Sequence, residues 1–403
     1  MKQPTDQSSV QYKIWSAIDR AYVRMYQLLD VIYTGLYVRF CKVKKTKIVF
    51  DSYLGRGYGD NPKYIAEEIM KRGLNWELVW LLDDLNKPLP EGIRAVQYNS
   101  CAALRERASA GVWIDNARNF NRTPKKPGQI FLQTWHGGLN FKYVEGAAAD
   151  KLKPQYVQLA KQDGKESDAI ISACGLRTEE YRKYFWLNEK TEILNIGLPR
   201  NDALFDPVWV RNNSEYVRQR LGIPKEKKII LYMPTFRDDG SMDGYLTEYD
   251  RVLSTMEERF GGSFVFVVRL HPNVQKQTRS LVYSDKVYDG NIFPDAQLLY
   301  MASDYIISDY SSSAFDFALL KRPAFLYVKD SERYRKLRGL NENYDTCPFP
   351  KADSVEMLLD IIRNFSEQEY EEKFAAFQKI WQPFDDGHAA EHTVDWLKEK
   401  MIQ

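Results

Sequence analysis

The chain has 403 residues, 44% of them hydrophobic, and a net charge of +2, with a mean hydropathy of −0.50. That length exceeds one ordinary core and predicts two domains of roughly 150–200 residues each, while a near-neutral charge argues against a dedicated nucleic-acid binder. No apolar run approaches the roughly 18–20 residues of a spanning helix, and the opening MKQPTDQSSV lacks a basic-then-apolar secretory pattern, so the expected location is the cytosol.

From Tyr12 to Phe40, the apolar residues Trp15, Ile18, Tyr22, Met25, Leu29, Ile32, Tyr33, Leu36 and Tyr37 recur at spacings of three and four, predicting one helical stripe. Lys13, Arg20, Arg24 and Arg39 lie among them, and Lys42, Lys44, Lys45 and Lys47 follow. Residues 1–46 thus read as an amphipathic basic segment suited to an anionic membrane surface. A helix packed on its own domain, or on a second subunit of a homo-oligomer, carries the same pattern.

Short β-rich runs then alternate with helical patterns. KIVFDSY (47–53), ELVWLLD (77–83), RAVQY (94–98), GVWID (111–115), QIFLQTW (129–135) and DAIISA (168–173) read as strands, with helices expected over 62–71, 101–110 and 177–186. A second series follows: EILNIG (192–197), KIILYMP (228–234), FVFVVRL (264–270), DYIISD (304–309) and AFLYV (324–328). Three closing segments near 353–365, 367–382 and 386–401 look helical. The expected fold is α/β, with two doubly wound parallel-sheet domains over 47–190 and 191–403 facing a cleft. Ligands of such sheets bind outside the carboxyl ends of the strands.

Polar residues cluster at those ends. Arg200 follows EILNIG, Thr235 and Arg237 follow KIILYMP, Arg269 closes FVFVVRL, and Ser311 and Ser312 follow DYIISD. Guanidinium forks match phosphate oxygens, and hydroxyls at a helix start favour an anion, so their recurrence predicts a phosphate site. Singly, each has a plainer reading: Ser311 or Ser312 as a helix cap, Arg237 as a surface ion pair. His136 ends a strand of the first series in TWHGG, where an imidazole can take a proton from an attacking hydroxyl. Gly137 and Gly138 would let backbone approach a ligand closely. His271 stands beside Arg269 in RLHP.

QTWHGG, GLPRNDALF, YMPTFRDD, RLHP and SDYSSSAFDFALLKRPAFLY together resemble the CDP-glycerol glycerophosphotransferase family, the polymerases and primases of teichoic acids and related poly(alditol phosphate) capsules. DSYLGRGYGDNPKYIAEEI (51–69), KYFWLN (183–188) and DGHAAEHTVDWL (386–397) are similar to segments of the same family. The resemblance implies a GT-B-like transferase. It would move polyol phosphate, glycerol or ribitol, from a CDP-activated donor to a hydroxyl of a lipid-linked or polymeric acceptor, releasing CMP at the inner face of a bacterial membrane. By that likeness His136 is the base on the acceptor, and His271 with Arg269 contacts the donor phosphates. Arg200, Thr235, Ser311 and Ser312 match positions near the donor pyrophosphate, and Asp316 one near the bound donor. Where many relatives read WHGTPLK, this chain reads WHGGLNFK, which leaves donor and acceptor preference open.

A nucleotide-sugar glycosyltransferase would use the same cleft, and a membrane-docked scaffold would keep the same fold without turnover. Asp238, Asp239 and Asp309 can hold a divalent ion, although their spacing requires none. LGRGYGDNP (54–62) lacks the GxGxxG spacing and reads as a substrate-side turn, with Asp60 or Asn61 capping a helix from Pro62. HAAEH (388–392) fits H-x-x-E-H formally, but too little chain follows to supply a third ligand; a solvated helix face is the plainer reading. Cys41, Cys101, Cys174 and Cys347 share no metal or disulfide spacing.

Overall fold

Runs such as LVWLL and GVWID are apolar at successive positions, the pattern of strands covered on both faces. In the computed structural model they are fully buried. The structure describes residues 40–119, 123–237, 241–270 and 283–402, with Gly35. The stripe expected over 12–40 lies, Gly35 and Phe40 apart, outside the described residues, as do Asp238, Asp239 and His271.

The first sheet contains β1 (Lys44–Asp51), β2 (Glu77–Leu82), β3 (Ile93–Gln97), β4 (Ala110–Asp115), β5 (Ile130–Gln133), β6 (Ala169–Ser172) and β7 (Glu192–Asn195). The second contains β8 (Lys227–Met233), β9 (Ser263–Val268), β10 (Val287–Asp289), β11 (Tyr305–Ser308), β12 (Ala324–Tyr327) and β13 (Lys351–Ala352). Their spatial orders are β3-β2-β1-β4-β5-β6-β7 and β10-β9-β8-β11-β12-β13, and the paired strands run parallel. Both sheets are doubly wound, with order reversing between β1 and β4 and between β8 and β11, the positions where ligand crevices form.

Two expected boundaries are corrected. The strand in EILNIG does not open the second sheet; it pairs with β6, Ile170 opposite Ile193, as the last strand of the first. The chain crosses afterwards, through the 3-10 turn Pro199–Phe205 and the helix Pro207–Leu221, which starts on the Asp206 side chain and stops at Gly222 with φ +71°. The final helix, Ala389–Ile402, returns to the first half, where Val394 and Leu397 join the core beneath β1 and β2. HAAEH thus begins a helix docked on the first half, with His392 Nε2 3.1 Å from Asp386. The short edge strands β10 and β13 were not foreseen.

The halves also share a core. Phe141, six residues past β5 and its following turn, is fully buried among second-half aromatics, 4.7 Å from the Phe315 ring. Lys142 bridges to Leu340 in antiparallel register. Burying a phenyl ring contributes about 2–3 kcal/mol, so the stretch after His136 anchors one half to the other. Lys63 and Tyr64, on the helix Asp60–Lys71, both donate to Asp295 of the second half, at 2.9 and 2.8 Å.

Candidate active site

His136 leaves β5 through Trp135, whose φ is +52°. Asn61 holds that turn by donating to the Thr134 and Trp135 carbonyls at 3.3 and 2.9 Å. The His136 Nδ1 lies 2.8 Å from the Asn116 carbonyl. A carbonyl only accepts, so Nδ1 carries the proton and Nε2 keeps a lone pair. Burial pushes the imidazole below its ordinary pKa of 6.5, so the neutral form prevails near pH 7. The ring is flanked by Trp135 and Tyr53, with centroids 4.5 and 5.6 Å away.

Arg200 is the node where the halves meet. One guanidinium nitrogen donates to the His136 carbonyl at 2.8 Å and to Asp60 at 3.1 Å; the other donates to Asp316 at 2.8 Å. All three side chains are largely withdrawn from solvent. Burial raises the Asp316 carboxyl above its ordinary range, with Arg200 opposing. Gly138 permits this packing: a Cβ there would stand 3.3 Å from Asp316 Oδ1. Its smallness therefore serves the Asp316 side chain. Gly137 is partly exposed beside His136.

In the second half, Thr235 and Arg237 close on Asp309 rather than on open space. The Thr235 N–H and hydroxyl donate to Asp309 at 2.8 and 2.5 Å. Arg237 donates to Asp309 at 2.9 Å and through two nitrogens to Asp330 at 2.6 and 2.9 Å. Its cation also faces the Tyr245, Tyr310 and Tyr334 rings at 5.1–5.7 Å. The surface ion pair weighed for Arg237 is a buried one, and its charge is spent within the protein. Asp309, weighed as a metal ligand, is likewise committed to these donors. Among the described residues no three His, Cys, Asp or Glu side chains are grouped to hold a metal ion.

Arg269 differs. It donates only to the carbonyls of Phe293 and Pro294 and ion-pairs with no carboxylate among the described residues. Burial lowers its pKa, with Tyr300, Asp295 and Tyr53 opposing. Ser311 and Ser312 are partly exposed at the start of the helix Ser313–Ala318. Ser311 pairs with the Ser313 hydroxyl at 2.8 Å, and the Ser312 side chain makes no cap. His136, Arg200 and Asp316 are thus joined directly, Arg269 faces the same region, and Thr235 and Arg237 form a separate brace.

A family model described as CDP-Glycerol:Poly(glycerophosphate) glycerophosphotransferase matches residues 32–399. The chain belongs to this family. It is 32% identical over 373 residues to the teichoic acid poly(glycerol phosphate) polymerase of Staphylococcus epidermidis, covering 89% of this chain and 51% of that protein. With the polymerase of the same description from Bacillus spizizenii it shares 30% identity over 394 residues, 93% of this chain and 96% of the relative. The chain therefore spans about half the length of the first and nearly all of the second. The solved structure of the wall teichoic acid polymerase TagF superposes with a TM-score of 0.80 at 30% identity, covering 96% of this chain and 98% of that one.

In this glycerophosphotransferase-family chain the loop after β1 contributes more than the sequence suggested. Asp60 and Asn61 do not cap a helix: Gly59 is the cap residue and offers no side chain. Asp60 instead pairs with Arg200, and Asn61 braces the His136 turn while accepting from the Arg200 N–H at 3.2 Å. Tyr53, Asn116 and Asp385 were also missed. Tyr53, Asp60, Asn61 and Asn116 follow strand ends, the signal that found the arginines.

Proposed function

We propose that the chain transfers glycerol phosphate from CDP-glycerol to a hydroxyl of a teichoic-acid-type acceptor and releases CMP. The observation that carries this reading is a neutral imidazole, His136, whose Nε2 accepts no hydrogen bond among the described residues, in the region that Arg269 also faces. The acceptor oxygen would attack the glycerol-side phosphorus as its proton passes to Nε2. A new O–P bond forms and the P–O bond to CMP breaks. A positioned base of this kind contributes about 10²–10⁴-fold, and the remaining demand is alignment and charge stabilisation. Arg269 supplies the charge, with His271, two residues on, as its proposed companion. Ser311 and Ser312 offer partly exposed hydroxyls for the pyrophosphate, and Arg200 with Asp316 holds the two halves in register around it.

The relatives' descriptions as glycerol phosphate polymerases support the donor, as does a TagF variant soaked with CDPG, which superposes with a TM-score of 0.80. We further propose that the basic stripe within residues 12–47 brings the protein to an anionic membrane surface; no helix among the described residues is long and apolar enough to cross one.

The test is CMP release from purified protein offered CDP-glycerol, CDP-ribitol or UDP-glucose with a lipid-linked bacterial acceptor. CMP from CDP-glycerol is the expected product. Release from CDP-ribitol alone would move the reading to ribitol phosphate, and UDP from UDP-glucose alone would make the chain a glycosyltransferase. Turnover of none would leave a scaffold.

A further inference from the structure

Beside His136 stands a second polar tip, the Tyr53 hydroxyl. Tyr53, Leu54 and Asp60, in the loop leaving β1, have φ of +49°, +62° and +58°. Left-handed backbone costs a non-glycine residue about 1–2 kcal/mol, and such strain persists where surroundings enforce it, often at functional loops. The enforcing contacts are two hydrogen bonds: Asp51 accepts from the Gly55 N–H, and the Asn116 side chain accepts from the Tyr53 N–H, each at 2.8 Å. Asn116 thus fixes Tyr53 through its amide and His136 through its carbonyl.

The Tyr53 hydroxyl donates its single proton to Asp60 Oδ2 at 2.5 Å, and Asp60 is balanced by Arg200. Burial first, then the Asp60 charge, keeps the phenol protonated. Its oxygen retains lone pairs. Among the described residues neither that oxygen nor His136 Nε2 accepts a hydrogen bond. Two acceptors on rings whose centroids lie 5.6 Å apart repel a phosphate, which at neutral pH offers mainly acceptors of its own. They match a molecule presenting two O–H groups. Tyr53 is 38% exposed, so its side chain is reachable from solvent.

We propose that Tyr53, held by Asp60, is the subsite for a second hydroxyl of the acceptor. The attacking hydroxyl donates to His136 Nε2 while its neighbour on the next carbon donates to the Tyr53 oxygen, so the enzyme selects vicinal-diol ends. This rests on the transferase reading above and adds to it the acceptor's chemistry.

The experiment compares kcat/KM for CMP release with an acceptor ending in a vicinal diol and its counterpart lacking the second hydroxyl, in wild type and in Tyr53→Phe. One hydrogen bond corresponds to a selectivity for the diol of about 10-fold in wild type, and the ratio should fall to near one in Tyr53→Phe. Equal rates on the two acceptors in wild type, a measurement needing no variant, overturn the subsite while leaving the transferase reading intact. Full diol selectivity in Tyr53→Phe overturns the assignment to Tyr53. Absence of CMP release with any acceptor overturns the transferase reading and the subsite together.

Discussion

His136 shows how a single side chain is tuned by a neighbour that sequence patterns do not reveal. Its proton sits on Nδ1 because the Asn116 carbonyl faces it, and its pKa is pulled down by burial. A base must be unprotonated to act, so kcat/KM should fall on the acid side with an apparent pKa below 6.5 and stay level through neutrality. His136→Ala should lose about 10²–10⁴-fold in transfer with little change in melting temperature. An acid limb unchanged in a residually active His136→Ala enzyme would assign that titration elsewhere. The histidine was legible because it follows an apolar strand and stands in TWHG, a stretch that resembles the family's motif. Asn116 was not, since its hold on His136 runs through its main-chain carbonyl, which any residue possesses.

Among elements, equivalent strand-end positions have different fates. Arg237 and Arg269 both follow strands of the second sheet. Arg237 meets Asp309 and Asp330, 72 and 93 residues further along; Arg269 meets two carbonyls. No local pattern distinguishes them, because what separates a brace from a ligand site is a partner distant in the chain. The consequence is testable by substituting each with alanine. Arg237→Ala leaves a buried Asp309 carboxylate without its counter-charge and should cost about 3–5 kcal/mol, seen as a lower denaturation midpoint. Arg269→Ala should melt within a few degrees of wild type and weaken CDP-glycerol binding at least tenfold by titration calorimetry. A stable Arg237→Ala protein that has lost donor binding would reverse the two assignments. Strand identity, by contrast, was readable nearly throughout, since doubly covered strands are apolar along their length. Sheet membership was not: β7 has the composition of either sheet, and only its pairing with β6 decides. Two- and three-residue edge strands such as β13 and β10 are too short to show periodicity.

For the whole molecule, the two halves are joined by a linker whose charge state depends on pH. Asp385, just before the returning helix, accepts from the Leu198 N–H at 3.0 Å and from Asn201 at 3.2 Å, and the same Asn201 amide reaches Asp316 at 3.4 Å. Gly197 takes φ +81° against it, where a Cβ would fall 2.6 Å from the Asp385 Cα. Burial pushes the Asp385 carboxyl from 3.8 up to about 7. Raised above its unfolded value, this group favours the folded state fully below pH ~4 and loses that contribution as pH rises through about 7, an effect on the order of 2–4 kcal/mol. Asp51, raised to about 7, and Asp202, raised to about 6, act with the same sign. Asp385→Asn keeps an oxygen for the Leu198 N–H but cannot ionise. Melting curves between pH 4.5 and 8 should therefore be flatter for the variant than for wild type, with the variant equal or more stable at pH 8. Parallel curves would mean that Asp385 ionises as readily in the native state as in the unfolded chain. In that case the junction between the two halves would be held by packing around Gly197 and Phe141, with no contribution from Asp385 that pH can remove.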